Sequence, residues 1–171
     1  MSEQSKPEQD LSQLLLHRRE KLKALQEKKI NPYPCFFKRT YTSKEICDSF
    51  EKLETETTPV SVCGRIISLR SHGKSAFFHI LDGDGKIQVY LKSDEVGEEK
   101  YKLFELFDIG DFIGVTGKVF KTRTGEKTVR SEDFQLLSRS LHPLPEKWHG
   151  LQDKELRYRQ RYLDLIINPE V

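Results

Sequence analysis

The sequence predicts a mainly β fold with helices, in which an N-terminal amphipathic helix precedes a five-stranded barrel. Residues 8–30 contain neither Gly nor Pro, and their leucines recur at helical spacing. From Val60 the apolar pattern changes to five short β-rich runs, which turn-forming residues separate. A segment with a helical pattern lies between the third and fourth runs. Together these observations favour a small closed sheet with one inserted helix.

The first segment, residues 1–30, is predicted to be a basic amphipathic helix that ends before Asn31-Pro32. Its apolar stripe consists of Leu11, Leu15, Leu22 and Leu25. Its other faces carry the basic residues Arg18, Arg19, Lys21, Lys23, Lys28 and Lys29. A solvated helix lying on its own domain and a helix that touches RNA explain this pattern equally well.

Residues 31–59 are predicted to form a connector and a short helix. Two prolines keep the aromatic stretch NPYPCFFKRTYTS extended. Residues 43–45, Ser-Lys-Glu, are typical of a helix start, and one side of that helix would carry Ile46, Phe50 and Leu53. We expect this helix to end at Thr58-Pro59.

Residues 60–142 contain the five β-rich runs VSVCGRIISLR, KSAFFHILD, KIQVYLK, FIGVTGKVFKT and EKTVRSEDFQLLS. The helical segment, residues 94–107, falls between the third and fourth runs. Five strands with one helix at that point is the order of an OB-fold barrel. A different small barrel remains possible on strand count alone.

Side-chain alternation sorts the second and third runs into two faces. The interior set is Ala76, Phe78, Ile80, Ile87, Val89 and Leu91. The opposite set is Ser75, Phe77, His79, Gln88 and Tyr90. A buried glutamine would need several hydrogen bonds, so we place Gln88 and its neighbours on the outside of the barrel.

Phe77 and Gln88 are the candidate base-binding residues, because OB-folds bind oligonucleotides on strands 2 and 3. An exposed Phe ring offers a surface on which a base can stack. The Gln amide carries both donors and acceptors, so it can read the edge of an unstacked base. Alternation alone does not distinguish this role from an alternative in which Phe77 packs under a loop and Gln88 is merely on the surface.

The net charge is only +2, so any nucleic-acid function must depend on where the charges lie. Residues 112–131 hold five basic side chains against one acidic one. The candidate phosphate contacts in this stretch are Lys118, Lys121, Arg123 and Lys127. On the N-terminal helix, Arg18, Arg19 and Lys23 are possible further contacts. Glu126 is either an ion-pair partner or an acceptor for a base N–H.

Several other classes are disfavoured by the sequence. No apolar run approaches the roughly 18 residues of a membrane span, and the polar N-terminus is unlike a secretory signal. Three widely spaced cysteines match no zinc site, which predicts free thiols, no bound metal and a cytoplasmic location. No GxGxxG, GxxxxGK[ST] or HExxH motif occurs. The residues alone therefore indicate a nucleic-acid-binding module rather than a complete enzyme, with no catalytic residue to name.

The stretch LHPLPEKWHGLQDKELRYRQRYLDLIINPEV, residues 141–171, resembles the hinge that follows the anticodon-binding domain of lysyl-tRNA synthetases. The strongest resemblance lies in the run RYRQRYLDL, which favours the lysine enzymes over the aspartate and asparagine ones. Upstream, RIISLRSHGKSAFFHILDGDGKIQVY, NPYP and TGEKT are also similar to that family, so the resemblance covers residues 11–171.

The resemblance implies a role for four residues in reading the anticodon of tRNA(Lys). Phe77 would stack on the central uridine, Gln88 would read the edge of that base, and Arg70 and Glu126 match the rest of the pattern. His79 and Tyr90 have no firm role in that family and are left as rim contacts.

The resemblance also implies a parent enzyme, a cytoplasmic homodimer that attaches lysine to tRNA with ATP and Mg²⁺. The family's catalytic motifs would begin after Val171. Residues 143–171 are therefore expected to be a hinge toward an absent catalytic domain. This part alone should then be inactive and bind no cofactor.

Two other functions remain open at this point. One is a stand-alone OB-fold module that binds single-stranded nucleic acid without sequence preference. The other is a protein-interaction domain whose aromatic residues contact a partner protein. The arginine-rich stretch after Leu141 discriminates, because a free-standing module has no use for such a hinge. Reading the coding sequence beyond Val171 would decide between them.

Overall fold

The computed structural model describes residues 6–144 and 154–168 of the chain. These residues belong to two units, Met1–Leu141 and His142–Val171, and each unit is described by itself. The finer division into segments 1–30, 31–59, 60–142 and 143–171 stays a prediction.

Five strands form the first unit's sheet: β1 Val60–His72, β2 Ser75–Leu81, β3 Lys86–Lys92, β4 Phe112–Lys121 and β5 Lys127–Ser138. They close into a barrel in the order β1-β2-β3-β5-β4. β3 and β5 pair in parallel, and the other four pairings are antiparallel. The five predicted runs and the OB-fold are thereby confirmed. Closure also removes the exposed strand edges that an open sheet would present.

The barrel interior is the face that alternation predicted. Ala76, Phe78, Ile80, Ile87, Val89 and Leu91 are each at most 2% exposed. At one end of the barrel, the ring of Phe78 packs against Phe104, with 5.0 Å between centroids. Phe104 in turn contacts Phe107 and Phe134. This buried aromatic cluster attaches the inserted helical segment to the barrel.

Two glycines allow neighbouring strands to approach closely. A Cβ atom on Gly117 of β4 would lie 1.9 Å from the carbonyl oxygen of Arg130 on β5. The β4–β5 register shifts at this point, between Thr116 and Gly117. On β1, a Cβ on Gly64 would lie 2.7 Å from the carbonyl oxygen of Leu81. Only a residue without a side chain fits at either position.

The helices of the two units are α1 Lys6–Glu27, α2 Ser43–Asp48, α3 Phe50–Thr55, α4 Ser93–Val96, α5 Glu98–Phe104, α6 Lys154–Arg159 and α7 Arg161–Ile167. The prediction of one continuous helix after residue 43 is wrong, because Ser49 separates α2 from α3. Its predicted inner side is confirmed, since Ile46, Phe50 and Leu53 are all buried. At the start of α2, Thr42 and Glu45 form a reciprocal capping box.

The predicted helix over residues 94–107 is also divided, into α4 and α5. Gly97 separates them with a φ of +89°, a conformation that glycine adopts without steric cost. Apolar spacing could not show this break, because the buried residues Val96 and Phe104 on either side of it still fit a helical pattern.

The apolar stripe of α1 is shorter than predicted. Leu25 is fully buried, and Leu15 and Leu22 are half-buried, whereas Leu11 is 47% exposed. The helix also ends at Glu27 rather than at Asn31-Pro32. Packing through this stripe therefore begins at Leu15 rather than at Leu11.

Charged side chains attach α1 to the barrel. The Arg18 guanidinium is buried and donates to the carbonyl oxygens of Ser140, at 2.8 Å, and Ile109, at 2.9 Å. Lys21 donates to Asp108 at 2.7 Å. The expectation that Arg18 contacts phosphate is therefore corrected, because its donors bond main-chain carbonyls inside the protein.

Arg139 is the centre of this attachment. Its guanidinium is inaccessible to solvent and donates to Asp111 and Asp108. Burial raises the pKa of Asp111, although that carboxylate also accepts the Asp108 and Ser140 backbone N–H groups. Burial opposes the charge of Asp108 as well, but its contacts with Lys21 and Arg139 outweigh this and lower its pKa. The end of β5, the start of β4 and α1 are thus held at one buried ionic cluster.

The second unit contains α6 and α7, which Asp164 connects. The buried Asp164 carboxylate accepts hydrogen bonds from Arg157, at 2.8 Å, Arg161, at 2.6 Å, and Asn168, at 2.7 Å. These contacts, with that of Arg157 the strongest, lower the pKa of Asp164. Residues 145–153 of the predicted hinge lie outside the described residues. Within the described ranges, no helix has the length and apolar character needed to cross a membrane.

Gly117→Ala should destabilise the first unit by about 1–3 kcal/mol, because the added methyl group would push the backbone of β5 away from β4. The matched control is Gly83→Ala, where an added Cβ meets nothing within 4 Å. This control should change stability by no more than about 0.5 kcal/mol. Urea unfolding measures both, and equal midpoints for the two variants would contradict the close approach of β4 and β5.

Candidate nucleic-acid interface

The outward side chains of four neighbouring strands line up in two rows. One row follows the register from β1 through β2 and β3 to β5, through Ser68, His79, Gln88 and Thr128. The second row, one pleat further along, is Arg70, Phe77, Tyr90 and Arg130. We call these eight residues, of which Thr128 is fully buried, the outer face. It includes Phe77 and Gln88 on the side of the sheet that alternation predicted.

Hydrogen bonds connect the first row to Glu126. The imidazole of His79 lies 2.8 Å from Ser68 Oγ on one side and 2.8 Å from Glu126 Oε1 on the other. Gln88 Nε2 donates to Glu126 Oε2 at 2.7 Å. Thr128 Oγ1 lies 2.8 Å from Gln88 Oε1 and 3.1 Å from the Glu126 carbonyl oxygen, and its single proton favours the shorter contact with Gln88. The structure thus brings together Gln88 and Glu126, and adds His79, to which the sequence assigned no firm role.

Glu126 reaches this position because of the turn between β4 and β5. Its N–H donates to Thr122 Oγ1 at 3.0 Å, and its carbonyl oxygen accepts the Thr122 N–H at 3.0 Å. Gly125 supplies the positive φ, +84°, that the turn requires. The parallel pairing of β3 with β5 then sets the end of this turn beside Gln88.

Gln88 keeps part of its hydrogen-bonding capacity. A carboxamide has two N–H donors and an oxygen that accepts twice. Glu126 and Thr128 are partners for one donor and one acceptor site. One donor and one acceptor site therefore remain, which match the edge of an unstacked base that presents one acceptor and one donor.

The second row is aromatic and cationic. The rings of Phe77 and Tyr90 lie 4.7 Å apart between centroids and are tilted by 37°. Tyr90 contacts Phe120 edge-on at 6.0 Å, and the Arg130 guanidinium lies over the Phe120 ring at 4.8 Å. Phe77 and Tyr90 are half-buried. Their tilted packing holds both rings in one orientation on a surface where a base could stack.

The OB-fold nucleic acid binding domain of the tRNA anticodon family matches residues 60–137, the barrel itself. This chain carries an anticodon-binding OB-fold domain. Almost the whole chain is similar to the lysine–tRNA ligase of Pelotomaculum thermopropionicum. The two are 57% identical over 169 residues, which are 99% of this chain and 33% of that protein. The lysine–tRNA ligase of Carboxydothermus hydrogenoformans is 57% identical over 163 residues, 95% of this chain and 33% of that protein.

A third relative, the lysine–tRNA ligase of Clostridium botulinum strain Langeland, is 54% identical over 165 residues, 96% of this chain and 32% of that protein. The anticodon-binding chain therefore spans about a third of the length of these curated relatives. It matches the N-terminal part of lysyl-tRNA synthetases, so the predicted family is confirmed.

Around the outer face, the predicted basic residues differ in their surroundings. Arg70 is exposed and pairs in register with Phe77 at the edge of the outer face. Lys121 and Arg123 are exposed at the β4–β5 turn. Lys118 is exposed as well, but its Nζ lies 3.4 Å from Glu132. Lys121 and Arg123 are thus predicted cations that are exposed on the same turn as Glu126.

The Lys127 side chain points away from the outer face. Its ammonium donates to the carbonyl oxygen of Cys47 at the end of α2 and lies 5.4 Å from the centre of the Phe50 ring. The expectation of a phosphate contact is corrected here, because the side chain turns toward α2 and α3. On α1, Arg19 and Lys23 are exposed, and Lys23 lies 3.9 Å from Glu27.

The three cysteines are free thiols in the structure, as the sequence predicted. In the part of the chain that the structure describes, no group of three or more His, Cys, Asp or Glu side chains could hold a metal ion. The outer face carries hydrogen-bonding, aromatic and cationic groups.

Glu126→Ala should lower stability by less than about 1 kcal/mol, because the turn is held by the Glu126 backbone, which alanine retains. The Gln88 side-chain amide should nevertheless lose its acceptor, and its NMR signals should shift and exchange faster with solvent. Glu132→Ala, another exposed carboxylate that pairs with a basic residue, is the control. Unchanged Gln88 amide signals in the Glu126 variant would contradict the hydrogen bond.

Proposed function

We propose that the outer face reads the anticodon loop of tRNA(Lys), as the recognition part of a lysine–tRNA ligase. The observation that carries this proposal is the contact of Gln88 and His79 with Glu126, one pleat away from the Phe77–Tyr90 aromatic pair. A stacking surface thus lies beside a set of fixed donors and acceptors. Single-stranded bases are recognised by that combination.

Each side chain has a distinct part in the proposed recognition. A base leaves the stack of the loop and lies against the Phe77 ring. Its edge then meets the remaining donor and acceptor of Gln88, which Glu126 and Thr128 hold in one orientation. A uracil edge offers an N–H between two carbonyl oxygens, which fits a carboxamide. Arg70, next to Phe77 in register, is placed to contact the ribose–phosphate of the same nucleotide.

The charges divide the surface into a part for bases and a part for phosphates. The Glu126 carboxylate repels phosphate, so the backbone must pass at a distance from it. Lys121 and Arg123 are exposed on the same turn and can attract the backbone there. Lys118 is a further candidate, although Glu132 partly neutralises it. Arg19 and Lys23, which are exposed on α1, offer an alternative track for the backbone.

The parent activity is part of the same proposal. The whole ligase would attach lysine to its tRNA at the expense of ATP, with Mg²⁺ at the site of that chemistry, as a homodimer in the cytoplasm. We place the ATP, lysine and Mg²⁺ sites in the two-thirds of the ligases' length that this chain does not span. The described residues then select the tRNA and take no part in bond formation.

Phe77→Ala should weaken binding of an anticodon hairpin of tRNA(Lys) by about 1–3 kcal/mol, through lost stacking. Gln88→Ala should relax discrimination at a single anticodon base by about the same amount. Fluorescence anisotropy with hairpins that differ at one anticodon position measures both effects.

Phe36→Ala is the matched control, since Phe36 is 76% exposed and lies on the connector. It should leave affinity unchanged. If Gln88→Ala weakens all hairpins equally, Gln88 does not read a base. If wild-type protein binds every hairpin and a plain oligouridine alike, the chain is a non-specific single-strand binder instead.

Lys121→Gln should lower affinity equally for cognate and non-cognate hairpins and reduce the slope of log K against log salt by roughly 0.7–0.9. Lys23→Gln removes the same charge from α1 and distinguishes the two candidate tracks. Phe77→Ala should leave the slope unchanged, because an uncharged ring releases no ions. A normal slope for Lys121→Gln together with a reduced one for Lys23→Gln would place the phosphate backbone on α1.

A further inference from the structure

Beside the second row lies a hollow that takes no part in the proposed recognition of the anticodon bases. Its volume is about 500 Å³, and its walls include Phe120, Arg130, Lys118, Glu95 and Glu132. This volume is within the range of small-ligand pockets. The hollow begins where the aromatic row ends, because Phe120 contacts Tyr90, which contacts Phe77. A strand of RNA that lays one base on Phe77 can therefore continue toward it.

Arg130 is held so that its guanidinium forms a flat surface in this hollow. The Phe120 ring supports it from one side, at 4.8 Å, and Glu95 lies 3.9 Å from its Nε. The side chain is still 49% exposed. A guanidinium fixed on a ring and open on its other side is a stacking platform for a nucleobase.

The charges of the hollow favour a base over a phosphate. Lys118 lies 3.4 Å from Glu132, and Arg130 lies 3.9 Å from Glu95, so two cations face two carboxylates. The pairs balance, which leaves little attraction for an anionic group. Each carboxylate still has acceptor sites free, and these suit a base that carries N–H donors.

We propose that Arg130, backed by Phe120, is a second stacking position, which takes an amino-bearing purine next to the anticodon bases. This inference rests on the proposed function, since it assigns a further nucleotide of the same RNA. Arg130 is two strands away from Phe77 in the second row, or roughly 10 Å at the usual spacing of strands. The platform thus extends the contact from the anticodon to a flanking nucleotide.

The test uses anticodon hairpins that carry 2-aminopurine at one loop position outside the anticodon, each position in turn. With wild-type protein, the fluorescence of one flanking position should fall on binding. Arg130→Lys keeps the charge and loses the planar group, so it should abolish that change and weaken binding about five- to 100-fold. Its salt slope should equal that of the wild type. Phe120→Leu, which removes the supporting ring, should act in the same direction.

Arg65→Lys is the matched control. Arg65 also lies over a ring, that of Phe112, at 4.3 Å, but it is five residues before Arg70 on β1. This variant loses the same kind of contact and should bind the hairpin normally. Melting temperatures within a few degrees of the wild type show that each variant is folded.

Three results are informative. If Arg130→Lys binds with wild-type affinity and shows the same fall in 2-aminopurine fluorescence as the wild type, the platform is overturned. The assignment of Phe77 and Gln88 then still stands. Weakened binding in Arg130→Lys with normal binding in Phe77→Ala supports the platform and overturns the Phe77 assignment. Weakened binding in both variants, with the fluorescence change lost only in Arg130→Lys, supports both positions.

Discussion

The parallel pairing of β3 with β5 is the constraint on which the outer face depends. It closes the ring between two strands that are distant in sequence, and it sets Glu126 beside Gln88 although 38 residues separate them. The same pairing puts Thr128 and Arg130 at the ends of the two rows. Without it, each row would stop at β3. The fold and the site are therefore one arrangement.

Closure also explains where the sequence tolerates only small residues. Gly117 lets β4 pass close to the backbone of Arg130 on β5. Gly64 allows the same close approach between β1 and β2. At the other end of β4 and β5, the buried cluster of Arg139, Asp108 and Asp111 attaches α1. Breaking a buried ion pair by removing one partner is costly, because the other charge remains uncompensated. That cluster therefore holds the helix in place.

The polar row is organised before any ligand arrives. Glu126 accepts from Gln88 and lies within hydrogen-bond distance of His79, and Thr128 fixes the opposite end of the carboxamide. Side chains that are already ordered lose less entropy on binding. Because the Glu126 carboxylate lies at the centre of this network, the surface disfavours phosphate there. In the proposed complex, a base edge therefore lies at that point and the RNA backbone passes beside the exposed Lys121 and Arg123.

Local patterns in the sequence predict the strands and which of their side chains face the barrel interior. Alternation placed Phe78 inside and Gln88 outside, because a strand's two faces follow from a period of two. Spacing could not place Arg18 or Lys127, since their partners Ser140 and Cys47 are 122 and 80 residues away. For the same reason the sequence showed Arg130 as one of several cations, and only the structure shows Phe120 beneath it. The sequence indicates no partner for His79, because Glu126 comes beside it only when the barrel closes.

Titration of ¹⁵N-labelled chain with an anticodon hairpin of tRNA(Lys), followed by NMR, tests the central claim most directly. We expect the largest chemical-shift changes in β2, in β3, at the turn around Glu126 and in the Gln88 side-chain amide. The signals of the buried cluster around Arg139 should stay where they are. Largest changes on α1, with β2 and β3 unaffected, would contradict the account.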